Sequence, residues 1–194
     1  MMVRDLRPLA GVVAVMVAID ALWIPFILGW AKLLPTSYQA IVMPMAGNVD
    51  LSQVIFTILT MIVFAVWIYC AGRNLAHTNA GDLEFSPASR VWWFAVPILN
   101  LFKPFQGMRE LWNASHDQWP YDTNQALIST WWAIWLFKNY GGGVLRAMGR
   151  ENVMLLWIDV AIDIVAAVVA LRVVFGITYA QLGFGRESLA EMFA

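Results

Sequence analysis

Three stretches of this chain, residues 9–31, 51–72 and 153–177, stay apolar for about 20 residues or more. As a helix, rising about 1.5 Å per residue, each is long enough to cross roughly 30 Å of hydrocarbon. No water is present there to satisfy backbone N–H and C=O groups, so a spanning segment must satisfy them itself, as a helix does. These runs therefore predict an all-α integral membrane protein. Composition agrees: 61% of the 194 residues are hydrophobic and 13% are charged, against about 25% charged in a soluble domain. Mean hydropathy is +0.66.

A fourth run, residues 124–140, is shorter and rich in tryptophan, and it can cross a thin or locally distorted bilayer. The connecting segments carry turn-forming residues. Residues 35–50 contain Pro35, Pro44, Gly47 and Asn48, and residues 72–90 contain Asn79, Gly81, Asp82 and Pro87. Gly141, Gly142 and Gly143 close the fourth run and open a basic link through Arg146 and Arg150. Residues 178–194 read as a tail along the membrane surface, and residues 1–194 as a single membrane domain. Arg4 and Arg7 precede the first run as they would in a signal peptide, whose apolar core is about 7–15 residues. The run here is longer, which predicts a retained first span.

Residues 86–115 do not fit this pattern of spans. Ser86 and Pro87 resemble a helix start, with Ser as N-cap and Pro in the first turn. Trp92 and Trp93 suit the headgroup level. Pro97 then removes a backbone donor, and Asn100, Lys103 and Pro104 follow. Phe105, Met108, Leu111 and Trp112 share one helical face, with Arg109, Glu110 and Asn113 elsewhere. The segment reads as two short helices, one dipping into the membrane and one lying along its surface.

Two topologies fit: four spans plus this re-entrant or interfacial hairpin, or five spans. Basic residues concentrate on cytoplasmic sides. With a cytoplasmic N-terminus, the first topology puts Arg4, Arg7, Arg73, Arg90, Lys103, Arg109, Arg172 and Arg186 inside. Only Lys32, Lys138, Arg146 and Arg150 then lie outside, and this asymmetry exceeds that of the five-span arrangement. The expected location is a bacterial inner membrane.

The same segment carries a family resemblance. Arg73-Asn74-Leu75, Phe85-Ser86-Pro87, Trp92-Trp93-Phe94 with Pro97, Asn100-Leu101, Lys103-Pro104-Phe105-Gln106 and Arg109-Glu110-Leu111-Trp112 with Ala114-Ser115 resemble the signature of an uncharacterised bacterial membrane family, domain of unknown function 4328. Trp131-Trp132-Ala133, Ile177-Thr178 and Gln181 are similar to its pattern, whereas Phe175-Gly176 departs from it where basic residues are expected. The resemblance implies a multi-span membrane protein and no activity.

Asp20, Asp159, Asp163 and Arg172 lie inside apolar runs. A charge at mid-bilayer costs about 2.5–3.5 kcal/mol on insertion scales, so such groups turn toward protein or water. Asp159 and Asp163 are one helical turn apart and share a face. Asp163 and Arg172 fall about half a turn out of phase, so a cation for the aspartates must come from another element, with Lys103, Arg109 or Arg146 as candidates. Asp20, Asn100, Lys103, Arg109, Glu110, Asp159 and Asp163 form the candidate polar membrane cluster. The plainer reading of these residues is an interhelical hydrogen-bond set that holds the bundle together.

The net charge of −1 gives no electrostatic footprint for nucleic acid. Cys70 is the single cysteine, and His77 and His116 lie in links, so no metal or cofactor site is expected. Phosphate-binding loops and hydrolase motifs are absent. The expectation is a non-enzymatic structural or accessory component of a homo-oligomer or of a complex with other membrane subunits, in contact with the lipid bilayer. The alternatives are a small channel or transporter using intramembrane carboxylates, or a lipid enzyme with Arg109, Glu110 and His116 at the interface.

Overall fold

The computed structural model describes residues 3–78, 83–143 and 152–184. Helix α1 spans Arg7–Leu33 and α2 spans Pro35–His77. The short α3 (Pro87–Trp92) and α4 (Lys103–Ser115) follow, then α5 (Ala126–Leu136) and α6 (Val153–Ala180). There is no strand among the described residues. The helices α1, α2 and α6 are long and apolar enough to cross a membrane. The basic link with Arg146 and Arg150 lies outside the described residues, as do residues 185–194 of the expected tail.

Residues 35–50, expected as a link, are helical. The break between α1 and α2 is Leu34 alone, whose N–H donates to the Trp30 carbonyl. Trp30 Nε1 donates to Ser37 Oγ at 2.8 Å across this joint. The chain then passes through a wide π turn at Tyr38–Val42 and a tight 3₁₀ turn at Met43–Met45 before the regular helix from Ala46. Pro35 and Pro44 each sit in the first turn of a helical segment, where a missing N–H costs nothing.

The packed core is gathered at one end of the bundle. Leu6, Ala10 and Val13 of the N-terminal stretch meet Trp67, Ile68, Ala71 and Leu75 of α2 there. Met108, Leu111 and Ala114 of α4, Ile128, Trp131 and Trp132 of α5, and Val173, Val174 and Ile177 of α6 complete it. A polar knot ties this closed end. Asn74 Nδ2 donates to the Arg4 carbonyl at 2.9 Å and to Gln181 Oε1 at 3.1 Å. Gln181 Nε2 donates to the Ala71 carbonyl and to Ser115 Oγ, at 3.1 and 2.9 Å. Trp67 Nε1 donates to Thr178 Oγ1. Thr178 and Gln181 are therefore core residues, where the sequence reading had the surface tail begin; α6 simply continues to Ala180.

Because Asn74 and Ser115 both reach Gln181, the chain between them leaves the closed end and comes back to it. The outward arm is α3, capped by Ser86 Oγ, which accepts from the Ser89 N–H. The apex is a three-residue turn: Leu99 N–H donates to the Pro97 carbonyl at 2.8 Å, with Ile98 at φ 67°. The return arm is α4. Leu101 O accepts from Trp132 Nε1, and Asn100 Oδ1 accepts from the Tyr140 hydroxyl, both on the segment of α5 and the π turn that extends it. Tyr140 lies about 20 Å along that segment from its start, so the apex reaches deep into the bundle.

Helix α4, expected to lie along the membrane surface, is packed into the protein on its polar side as well. Glu110, Asn113 and Ser115 are buried along with Met108 and Leu111. Its polar groups are satisfied by protein instead. Asn113 Nδ2 donates to the Tyr121 and Thr123 carbonyls at 2.8 and 2.7 Å.

Away from the closed end the helices are little buried. In the most apolar stretch of α1 only 6% of the residues are fully buried, and the rest are half-buried or exposed. Phe26, Leu51, Val54, Ile58, Met154 and Val165 all stand exposed. Lipid tails are as apolar as these side chains, so nothing drives the helices to close on one another there.

Candidate functional site

A cavity of about 840 Å³ occupies the space between the helices beyond the core. Its floor, toward the closed end, is Ile68 of α2, Val91 and Phe94 of the hairpin, Trp131 of α5 and Ala170 of α6. Farther out the wall turns polar, with Asp20 of α1, Gln53 and Thr57 of α2, Asn100 of the hairpin apex, Lys138 and Tyr140 after α5, and Asp163 of α6. Helical rise puts Asp20, Thr57, Lys138 and Asp163 each about 20–27 Å from the closed end, so the polar groups form one belt at a common depth. Ala166, Ala167 and Ala170, small residues on the inward side of α6, leave the room that the cavity occupies.

Lys138 and Asp163 form an ion pair in the belt. Lys138 Nζ lies 2.6 Å from Asp163 Oδ1, with the two side chains 36% and 22% exposed. Asp20 Oδ1 accepts from the Thr57 hydroxyl at 2.6 Å and makes no ion pair among the described residues. The wall between floor and belt is aromatic. Trp135 stacks on Trp132 with centroids 4.6 Å apart and planes 8° apart. Phe94 meets Trp135 edge-on at 5.7 Å, and Phe64 stacks with Trp131 at 6.3 Å.

The candidate cluster thus divides. Asp20, Asn100 and Asp163 come together on the cavity wall, and Asp159 lies half-buried one turn before Asp163 on α6. Lys103, Arg109 and Glu110 do not join them. Lys103 Nζ pairs with Glu84 at 3.1 Å. Arg109 Nη1 donates to Asn124 Oδ1 at 2.8 Å. Glu110 forms a buried ion pair with Arg90 and also accepts from the Glu84 and Phe85 backbone N–H groups. It therefore pins the hairpin's entry to its return arm.

The cation that Asp163 requires is Lys138, which was not among the candidates. A signal for it was present, since Lys138 follows Trp131 and Trp135 at i+7 and i+3 and so shares the face they present to the cavity. Arg146, the third candidate, lies outside the described residues. A second, smaller recess of about 320 Å³ lies at the closed end, lined by Glu84, Gln106, Arg109, Glu110, Tyr121 and Asp122 among others. Its carboxylate Glu110 already has both oxygens engaged.

A family model described as a domain of unknown function (DUF4328) matches residues 40–179. No curated protein and no solved structure matches the chain.

Proposed function

The chain belongs to the DUF4328 family, whose description assigns no activity, and we propose that it is a small membrane carrier or channel protein that takes its solute into the cavity between α1, α2, α5 and α6. The observation that carries this reading is the polar belt, with the Lys138–Asp163 pair, inside a space of about 840 Å³. Ligand sites are typically about 300–1,000 Å³, mostly apolar, with a few convergent polar groups. Ionisable residues among apolar spans mark solute or ion paths. A floor closed by packed side chains and a wall open farther out is the shape of a one-sided vestibule.

In this reading α5 and its terminal π turn form a fourth membrane passage beside α1, α2 and α6, and the hairpin returns to its side of entry. Arg4, Arg73, Arg90, Lys103 and Arg109 then mark the closed end as cytoplasmic in a multi-pass inner-membrane protein. The test is solute flux in vesicles containing the purified protein. Ala167→Trp, which fills the cavity from α6, and Asp163→Asn, which unpairs Lys138, should each change flux at least severalfold. Equal fluxes from wild type, variants and empty vesicles would sink the reading.

A second reading, the accessory subunit of an oligomer or larger membrane complex, is favoured by the sparse cover of α1, which leaves its surface to lipid or to another chain. A monodisperse monomer in mild detergent, with no co-purifying subunit, would count against it. The lipid-enzyme reading has less support, because Glu110 is committed to Arg90 and two backbone donors.

A further inference from the structure

Taking the cavity as a binding site, as above, we propose that its ligand is a hydrophobic organic cation. Two independent features of the wall select this class. The first is charge. The described belt carries the carboxylates of Asp20 and Asp163 against the single ammonium of Lys138. Lys138 is committed to Asp163 at 2.6 Å. The negative charge left over is that of Asp20, held toward α2 by the Thr57 hydroxyl. Near Asp20 an anion meets repulsion in a medium where charges are weakly screened, whereas a monocation finds a carboxylate that makes no ion pair among the described residues.

The second feature is the aromatic wall. Phe94 and Trp131 of the floor and Trp135 beside them line the cavity on the closed-end side of the belt. The negative faces of such rings attract a cation whose charge is spread over an organic skeleton, and quaternary ammonium ions are recognised in this way. An inorganic cation such as Ca²⁺ instead needs six to eight oxygen ligands, roughly, at close range. The oxygen-bearing side chains of this wall are spread over α1, α2, the hairpin apex, the turn after α5 and α6, and the two carboxylates are already engaged, Asp20 by the Thr57 hydroxyl and Asp163 by Lys138. A neutral solute would gain from the rings but would leave the Asp20 charge unbalanced. A lipophilic monocation satisfies both halves of the cavity, its charge toward Asp20 and its apolar bulk against the rings and the alanines of α6.

The experiment uses two ions of nearly the same size and shape and opposite charge, tetraphenylphosphonium and tetraphenylborate. Each is titrated against the full-length protein in mild detergent, following quenching of tryptophan fluorescence and, independently, equilibrium dialysis. The phosphonium should bind saturably and at least about tenfold more tightly than the borate, a difference of about one charge interaction. Asp20→Asn should lower phosphonium affinity by about tenfold or more, and Lys138→Met should raise it. Thr57→Val is the gentler variant, expected to weaken binding less if Asp20→Asn does not fold.

Borate binding as tight as phosphonium binding, or unchanged phosphonium affinity in a folded Asp20→Asn protein, overturns the cation inference while leaving a binding cavity in place. Saturable binding of neither ion, with Ala167→Trp indistinguishable from wild type in both readouts, overturns the cavity reading as well.

Discussion

Two side-chain arrangements at the closed end bear most directly on stability. Arg90 and Glu110 are 1% and 6% exposed and face each other across the hairpin. Removing one member of such a pair leaves an uncompensated buried charge, at a cost of about 3–5 kcal/mol, whereas replacing both by apolar residues is far milder. Glu110→Leu should therefore melt well below wild type in detergent, and Arg90→Met with Glu110→Leu should recover much of the loss. Wild-type melting of the single variant would show that the pair is not buried. Gly176 is the second case. A Cβ there would lie 2.6 Å from the Trp112 ring, so α4 and α6 approach closely only because this residue has no side chain. Overpacking of this kind costs about 1–3 kcal/mol. Gly176→Ala should lower the melting temperature, and the effect should vanish in a Trp112→Ala background. An equal drop in both backgrounds would place the strain elsewhere. In the sequence Phe175-Gly176 stands out only as a departure from the family pattern, since the partner ring lies more than sixty positions away in the chain.

At the scale of elements, the hairpin differs most from an ordinary helix pair. Ser86, Pro87 and Pro97 announce its start and its break in the sequence, and those readings hold. Its apex is a strained turn. Ile98, at φ 67° and ψ −51°, occupies a region that a β-branched residue rarely adopts. Such strain costs about 1–3 kcal/mol and persists where the surroundings over-determine it. Here Trp132 and Tyr140 hold the flanking Leu101 and Asn100. Ile98 itself is 74% exposed, so little packing is lost with its side chain. Ile98→Gly should raise the melting temperature by relieving the strain, and a lowered one would mean that the isoleucine contributes more by contact than it costs by conformation. The same lever separates α4 from the surface helix expected of it. Its apolar stripe is legible from spacing, but a stripe does not say what covers the other side. Tyr121 and Thr123 of the following link cover it, together with Arg90 and Gln181 from segments farther away in the chain.

For the whole molecule, a core at one end and a lipid-facing half at the other follow from where water is. Apolar burial drives packing only where the alternative is water. The four-passage arrangement proposed above, with its polar knot at the closed end, predicts residues 78 and 117 on one side of the membrane and Leu34 on the other. Single cysteines at these three positions, in a Cys70→Ala background, should react with an impermeant maleimide from one face at 78 and 117 and from the opposite face at 34. Labelling of 78 and 117 from opposite faces would restore the five-span topology. The amino-acid sequence by itself determined the class: apolar runs of bilayer length leave the backbone no solution but helices, and the charge content of 13% is well below that of a soluble domain. It also marked Asp20, Asn100, Asp159, Asp163 and Arg172 as groups that must find cover. Only the tertiary structure decided that Lys138 neutralises Asp163, that Glu110 is a strut of the hairpin and that Gln181 joins α2 to α4. The reason is physical: periodicity is local and fixes which face of a helix is polar, while the partner of that face is chosen by packing among segments the chain brings together from far apart.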